Sequence, residues 1–256
     1  MRIPTQRMPK RMRTLVTIFL GACLTLFCGC ASVQRSFLFY LTHHAEGNGL
    51  DVWEVEAGTI GYSRQAPVPR NVWLMLHGNG GQAVDRAYAL SSFSPDDSVF
   101  ILEYPGYGAR VGKPSKASFD AAAKEAYALL RRAFPGTPIC VMGESIGSGP
   151  ACILASQSPP PDKIVLVVPF DKLTRVAAEH VRILPVSLLL EAKWDNIHAL
   201  SKYRGSVEIF GAEQDAVIPI EHAKRLADSV PSARFHCISG GHNDWSNERS
   251  VKIRNP

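Results

Sequence analysis

The sequence has little that would tie it to a metal, a disulfide framework or a nucleic acid. There are six cysteines in 256 residues. Cys23, Cys28 and Cys30 fall in a leader-like N-terminal stretch, while Cys140, Cys152 and Cys237 stand singly in apolar runs. No C-x-x-C or other ligand spacing joins them, and three cannot all pair internally. They read as buried small apolar residues. No G-K-[ST] follows a glycine-rich loop and no G-x-G-x-x-G opens a helix, so the phosphate-binding loops of nucleotide-dependent enzymes are absent. No metal and no cofactor is implied. The chain also lacks internal repeats and low-complexity tracts, which excludes solenoids and propellers. A surplus of positive charge is missing from its body. Of 28 basic residues, Arg2, Arg7, Lys10, Arg11 and Arg13 lie in the first 13 with no acid among them; the other 23 balance 23 acidic residues. The net charge of +5 therefore belongs to the N-terminus, and the remainder has no overall pull toward nucleic acid.

A long apolar run is missing too. The longest, LVTIFLGACLTLFC from Leu15 to Cys28, is short of the roughly 20 residues that span a membrane, but it suits the apolar core of a secretory signal. A basic head precedes it and GCAS, Gly29–Ser32, follows. The stretch resembles a bacterial lipoprotein signal, with residues 1–29 removed and Cys30 lipidated. An uncleaved anchor or an ordinary cleaved signal are the alternatives. Each expects the domain to cross a membrane, and the lipoprotein reading tethers it to the cell envelope, facing the periplasm. Residues 30–50 then form a linking segment, and 51–256 the folded domain.

With 46% apolar residues the body can bury a sizeable core. WEVEAGTIGYSR, Trp53–Arg64, alternates around a turn and predicts a strand pair at a sheet edge. Then six apolar runs of strand length follow: Asn71–Leu76, Ser98–Tyr104, Pro138–Gly143, Lys163–Phe170, Val207–Ala212 and Ala233–Ser239. Helical patterns separate them at Gln82–Leu90, Lys116–Phe134, Ile146–Ser156 and Ile220–Val230. Runs without alternation are strands buried on both faces, and their alternation with helices predicts a parallel α/β sheet. The interval Asp171–Arg204 is an excursion from this rhythm and predicts a short cap.

In such sheets ligands bind beyond the carboxyl ends of the strands, so the residues standing there carry the chemistry. After the third run comes Gly143-Glu144-Ser145-Ile146-Gly147, a G-x-S-x-G between strand and helix, which is the context of a nucleophile elbow. After the last comes SGGHNDW, whose His242 can take and return a serine proton. His77 belongs to another motif; His180, His198 and His222 fall in helical stretches; His236 lies inside a strand, where a core role is expected; and His43 and His44 precede the sheet. After the fifth comes GAEQDAVIP, where Asp215 can orient the imidazole, with Asp171 and Glu213 as alternatives. HGNGG, His77–Gly81, follows the first run and can point backbone N–H groups at an oxyanion. Asn79 is the first choice of donor and Gly80 the second, partnered by Ile146 after the nucleophile. EYPGYG, Glu103–Gly108, makes a turn after the second run, and Tyr104 and Tyr107 are candidates for the rim of the substrate site.

The succession HGNGG, EYPGYG, GESIG, GAEQDAVIP and GGHND, from Val72 to Trp245, resembles the α/β-hydrolase superfamily. It is similar to a branch that holds acylglycerol and lysophospholipid lipases, protein depalmitoylases and proteins grouped as serine aminopeptidases. The resemblance implies an eight-stranded, mainly parallel sheet whose first two strands come from Val52–Arg64. It implies Ser145, Asp215 and His242 as catalytic triad, with Asn79 and Ile146 as oxyanion hole. The expected activity is hydrolysis of carboxylic esters or thioesters of small or lipid-like acyl substrates. Two other readings use the same residues: a serine peptidase, whose amine clamp would come from Glu144, Glu213 or Asp171, and a membrane-tethered scaffold without catalysis.

Overall fold

Eight strands pair into one sheet in the order β1-β2-β4-β3-β5-β6-β7-β8. They are β1 Asp51–Val55, β2 Gly58–Arg64, β3 Val72–Leu76, β4 Ser98–Leu102, β5 Ile139–Glu144, β6 Lys163–Val167, β7 Ser206–Ala212 and β8 Ala233–Ile238. Pairings β1–β2 and β2–β4 are antiparallel, and all the others are parallel. This computed structural model describes residues 39–43, 49–180, 190–246 and 251–253, all within the compact unit Phe39–Pro256. The expected signal, Cys30 and most of the 30–50 segment lie outside the described residues.

The apolar runs become strands because two-sided burial leaves no polar face to expose. Every residue of β3, β4, β5 and β6 is buried. Alternate side chains point to opposite faces. Trp73, Met75, Val99, Ile101, Cys140, Met142, Val165 and Val167 share one cluster with Ala83, Ala89, Phe93, Trp245, Val251 and Ile253. Burying one such side chain is worth roughly 1.5–3 kcal/mol. The opposite face meets helix α1, Lys116–Ala133, which packs on β3 and β4. Its buried residues Phe119, Ala122, Ala123, Ala126, Tyr127 and Leu130 keep the spacing of one helical stripe. Ser115 starts it, accepting the Ser118 N–H at 3.0 Å. The edges are different. β1 alternates exposed and half-buried residues, as does most of β8. Cys237 in β8 is exposed, so the expectation of three buried cysteines holds only for Cys140 and Cys152. His236 in the same strand stacks on Phe210, with its side chain 41% exposed, and is no core residue.

Two helical stretches depart from a continuous α-helix. Gln82–Leu90 is a 3-10 helix, Ala83–Ser92. Its start is set from outside: Glu103 Oε2 accepts the Ala83 N–H at 3.0 Å and Asp85 closes a capping box on Gln82. The segment after Ser145 has a 3-10 turn, Ser145–Gly147, then helix α2, Ser148–Ile153, and a second 3-10 turn, Leu154–Ser156. In the excursion 171–204 the described parts are α3, Leu173–His180, and α4, Asn196–Leu200. Helix α5, Ile220–Ser229, packs on β7 and β8. Among the described residues no helix is long and apolar enough to cross a membrane.

Candidate active site

β5 ends in the tightest bend of the site. Ser145 has φ +53°, a left-handed conformation that costs a non-glycine residue on the order of 1–3 kcal/mol. Close packing on both sides holds it there. A Cβ at Gly147 would stand 2.1 Å from Leu76 O and 2.7 Å from His77 O. One at Gly143 would meet Ala151 Cβ at 2.7 Å and Gly147 O at 2.8 Å. Only glycine lets the bend sit against the end of β3 and the first turn of α2, and so beside the His77–Gly81 loop.

Ser145, His242 and Asp215 arrive from the ends of β5, β8 and β7 and form one hydrogen-bonded chain. His242 Nε2 lies 2.9 Å from Ser145 Oγ, and His242 Nδ1 lies 2.7 Å from Asp215 Oδ2. The Asp215 side chain is wholly buried and that of His242 is 12% exposed. Asp215 Oδ1 accepts the N–H groups of Val217 and Ile218 at 2.8 and 2.7 Å, so its own loop orients the carboxylate. With the proton on Nδ1 donated to Asp215, Nε2 is the acceptor for the serine hydroxyl. The alternative acids are elsewhere. Asp171 is buried against His222, Arg175 and Arg225, and Glu213 is exposed beside Cys237.

The loop His77–Gly81 is fixed by side chains from three directions. Asn79 Oδ1 accepts from Tyr40 N–H at 2.9 Å, Gly80 N–H at 3.1 Å and Tyr107 O–H at 3.0 Å. Gly80 thus spends its N–H on a side chain of the same loop. Ile146, buried, is the second residue of the 3-10 turn Ser145–Gly147, in the first turn, where backbone N–H groups have no intrahelical partner.

Tyr104 and Tyr107 are not at a rim. Both are fully buried, and Tyr104 stacks on Phe119 with centroids 3.8 Å apart. Their rings are core, and their hydroxyls support the loop from beneath: Tyr104 O–H donates to His77 O at 3.1 Å and Tyr107 O–H to Asn79. Burial pushes both phenols well above their ordinary pKa, so they stay neutral donors. Sequence reading missed the polar residues around this loop: Arg86, Tyr88, Glu103 and the loop-binding role of Glu144. Glu144 Oε2 accepts Gly78 N–H at 2.8 Å, and Oε1 accepts from Tyr88 O–H and Trp245 Nε1–H, both at 3.2 Å. Arg86 and Tyr88 belong to no motif, and Glu103 and Glu144 stand in EYPGYG and GESIG at positions whose side-chain role those motifs leave open. Among the described residues no group of three or more His, Cys, Asp or Glu could hold a metal ion.

No family model matches the chain. It is 30% identical over 204 residues to alpha/beta hydrolase domain-containing protein 17C of Xenopus laevis, across 75% of this chain and 63% of that protein. It is 27% identical over 228 residues to the lysophosphatidylserine lipase ABHD12 of Danio rerio, across 77% and 59%. The chain thus spans about three fifths of the length of these curated relatives. Among solved structures, the esterase Pf2001 of Pyrococcus furiosus superposes with a TM-score of 0.61 at 14% identity, over 80% of this chain and 91% of that one. The strand order, the position of the elbow and the superposition on solved structures show the α/β-hydrolase fold.

Proposed function

We propose that the protein is a serine hydrolase that cleaves carboxylic ester or thioester bonds of small or lipid-like acyl substrates. The observation that carries this reading is the unbroken chain Ser145–His242–Asp215, at 2.9 and 2.7 Å, on a strained elbow. In this mechanism His242 Nε2 takes the proton from Ser145 Oγ as the oxygen attacks the acyl carbon. Backbone N–H groups of Ile146 and Asn79 hold the oxyanion. The proton on Nε2 passes to the departing alcohol or thiol, leaving an acyl group on Ser145. Water, deprotonated by His242, then releases the acid and restores the serine. Asp215 keeps Nδ1 protonated throughout and stabilises the imidazolium. Esters are favoured because related chains include a named lipase and the fold neighbours a named esterase. A peptidase would need an acid free to clamp an amine; Glu144 and Asp171 are both consumed by interior hydrogen bonds, which leaves that role to Glu213 alone of the three candidates. The reading includes a lipid tether at Cys30, resting on the leader sequence alone.

Fluorophosphonate labelling of wild type beside Ser145→Ala, read by intact mass, tests it. One adduct on wild type and none on the variant is the expected result. An unlabelled wild type that also turns over no ester would overturn the reading.

A further inference from the structure

Arg86 and Glu144 are charged, side by side and almost out of solvent, with side chains 11% and 6% exposed. Neither belongs to the triad. Their closest approach, Arg86 Nε to Glu144 Oε2, is 3.8 Å, an ion pair without a hydrogen bond. Arg86 instead spends most of its hydrogen bonds, and Glu144 one of its own, on the backbone of the same loop. Glu144 accepts Gly78 N–H at 2.8 Å. Arg86 Nη2 donates to Gly78 O at 3.2 Å and also to Gly80 O.

That division has a directional consequence. A trans peptide holds its C=O and the following N–H on opposite sides. With Gly78 O turned to the guanidinium, the N–H of Asn79 faces away from Arg86. A peptide flip that aimed Gly78 O at the oxyanion would have to break the Arg86 hydrogen bond and the contact with His77 Nδ1, 2.8 Å from the same oxygen, and set a carbonyl against developing negative charge. Glu144 adds a second constraint. It directly precedes Ser145, and its Oε1 accepts Trp245 Nε1–H, three residues after His242. One carboxylate therefore ties together the elbow, the His77–Gly81 loop and the His242 loop.

We propose that Arg86 and Glu144 are positioning residues that hold the oxyanion loop in its donating orientation. The inference rests on the serine hydrolase reading. The charge state agrees with it. Burial would push the Glu144 carboxyl up, but the neighbouring Arg86, the Gly78 N–H and Trp245 together hold it below its ordinary pKa. It therefore remains an acceptor at neutral pH. Tyr88 completes the set, accepting from Arg86 Nη1 at 2.8 Å and donating to Glu144.

Glu144→Gln is nearly isosteric but cannot satisfy the site. One oxygen becomes an NH2, which must face the Gly78 N–H or the Trp245 N–H, donor against donor. Arg86→Lys keeps the charge but not the planar fork, whose Nη2 reaches both carbonyls while Nη1 reaches Tyr88. In steady-state ester hydrolysis by the full chain, each variant is expected to lower kcat about 10- to 100-fold, the scale of a misplaced catalytic group, with KM nearly unchanged. Affinity for a trifluoromethyl ketone, whose hemiketal oxyanion fills the same place, should fall by the same factor as kcat/KM. A general loss of structure would not produce that match. If Glu144→Gln does not fold, Arg86→Lys carries the same test. An active, labelled wild type whose variants keep their kcat, or lose only in KM, would overturn this inference and leave the hydrolase reading standing. A wild type that neither labels nor turns over would remove both.

Discussion

At the residue scale, the site depends on groups whose type is dictated by a single contact. Asp215 is the sharpest case, because its two oxygens do different things. Oδ1 holds the loop through Val217 and Ile218, and Oδ2 holds His242. Asparagine can keep the first role with its carbonyl, which leaves an NH2 facing Nδ1. The imidazole must then carry its proton on Nε2, where it cannot accept from Ser145. Asp215→Asn is therefore expected to fold with its melting temperature little changed while kcat falls about 10⁴-fold, the usual cost of the wrong tautomer. Ester kinetics and thermal melts on the same preparation check this, and a drop below tenfold would contradict it. The triad could be read from sequence because serine between glycines, aspartate and histidine each stand just after an apolar run. Tyr104 and Tyr107 also follow such a run, yet Phe119 and the loop above enclose them. Whether a strand-end aromatic is rim or floor depends on what packs over it, which local sequence does not encode.

At the element scale, strands and main helices follow from burial pattern, and their cross-links do not. Helix α3 of the cap excursion is joined to α5 around two buried side chains, Asp171 just before α3 and His222 in α5, with the partly exposed Glu179, Arg175 and Arg225 about them. His222 Nδ1 lies 2.6 Å from Asp171 Oδ1 and its Nε2 lies 3.1 Å from Glu179 Oε2, with Arg225 against Asp171 and His222 and Arg175 against Asp171. Burial would lower the His222 pKa, but the hydrogen bonds and charges of Asp171 and Glu179 outweigh it and raise the value above 6.5. A raised histidine pKa stabilises fully below its unfolded value, and the gain is lost as pH rises through the folded one. His222→Asn should therefore cost about 2 kcal/mol near pH 6, or about 4–8 °C in melting temperature, with a smaller penalty at pH 9. Melts of both proteins from pH 6 to 9 check it, and a penalty that grew with pH would contradict it. Asp171 has the opposite sign. Burial would raise its pKa, but its histidine, backbone and arginine hydrogen bonds depress it, so its contribution is lost only in strong acid. Sequence reading had kept Asp171 as an alternative to Asp215, since both follow strands and only the fold separates them.

At the scale of the whole molecule, the proposed tether at Cys30 gives its own prediction. Full-length Cys30→Ala made in a bacterial host should lose palmitate incorporation and leave the membrane fraction, while ester turnover by the folded domain is retained. Palmitate incorporation equal to wild type would contradict the lipid tether. The division between sequence and structure follows from the range of the forces involved. By itself the sequence determined the parallel sheet, the order of its strands along the chain, the edge hairpin and the strand-end positions of Ser145, Asp215 and His242. Each of those is a local statement: an apolar run long enough for a strand, a glycine where backbone must approach backbone, a polar residue just beyond a strand end. Only the tertiary structure decided the spatial order β1-β2-β4-β3-β5-β6-β7-β8, the exposure of Cys237, the burial of both tyrosines and the pairing of Arg86 with Glu144. Those depend on what lies across a strand or behind a loop, 58 residues away along the chain for that ion pair. A buried charge becomes tolerable only where the fold supplies both its counter-charge and the backbone groups that use its remaining hydrogen bonds.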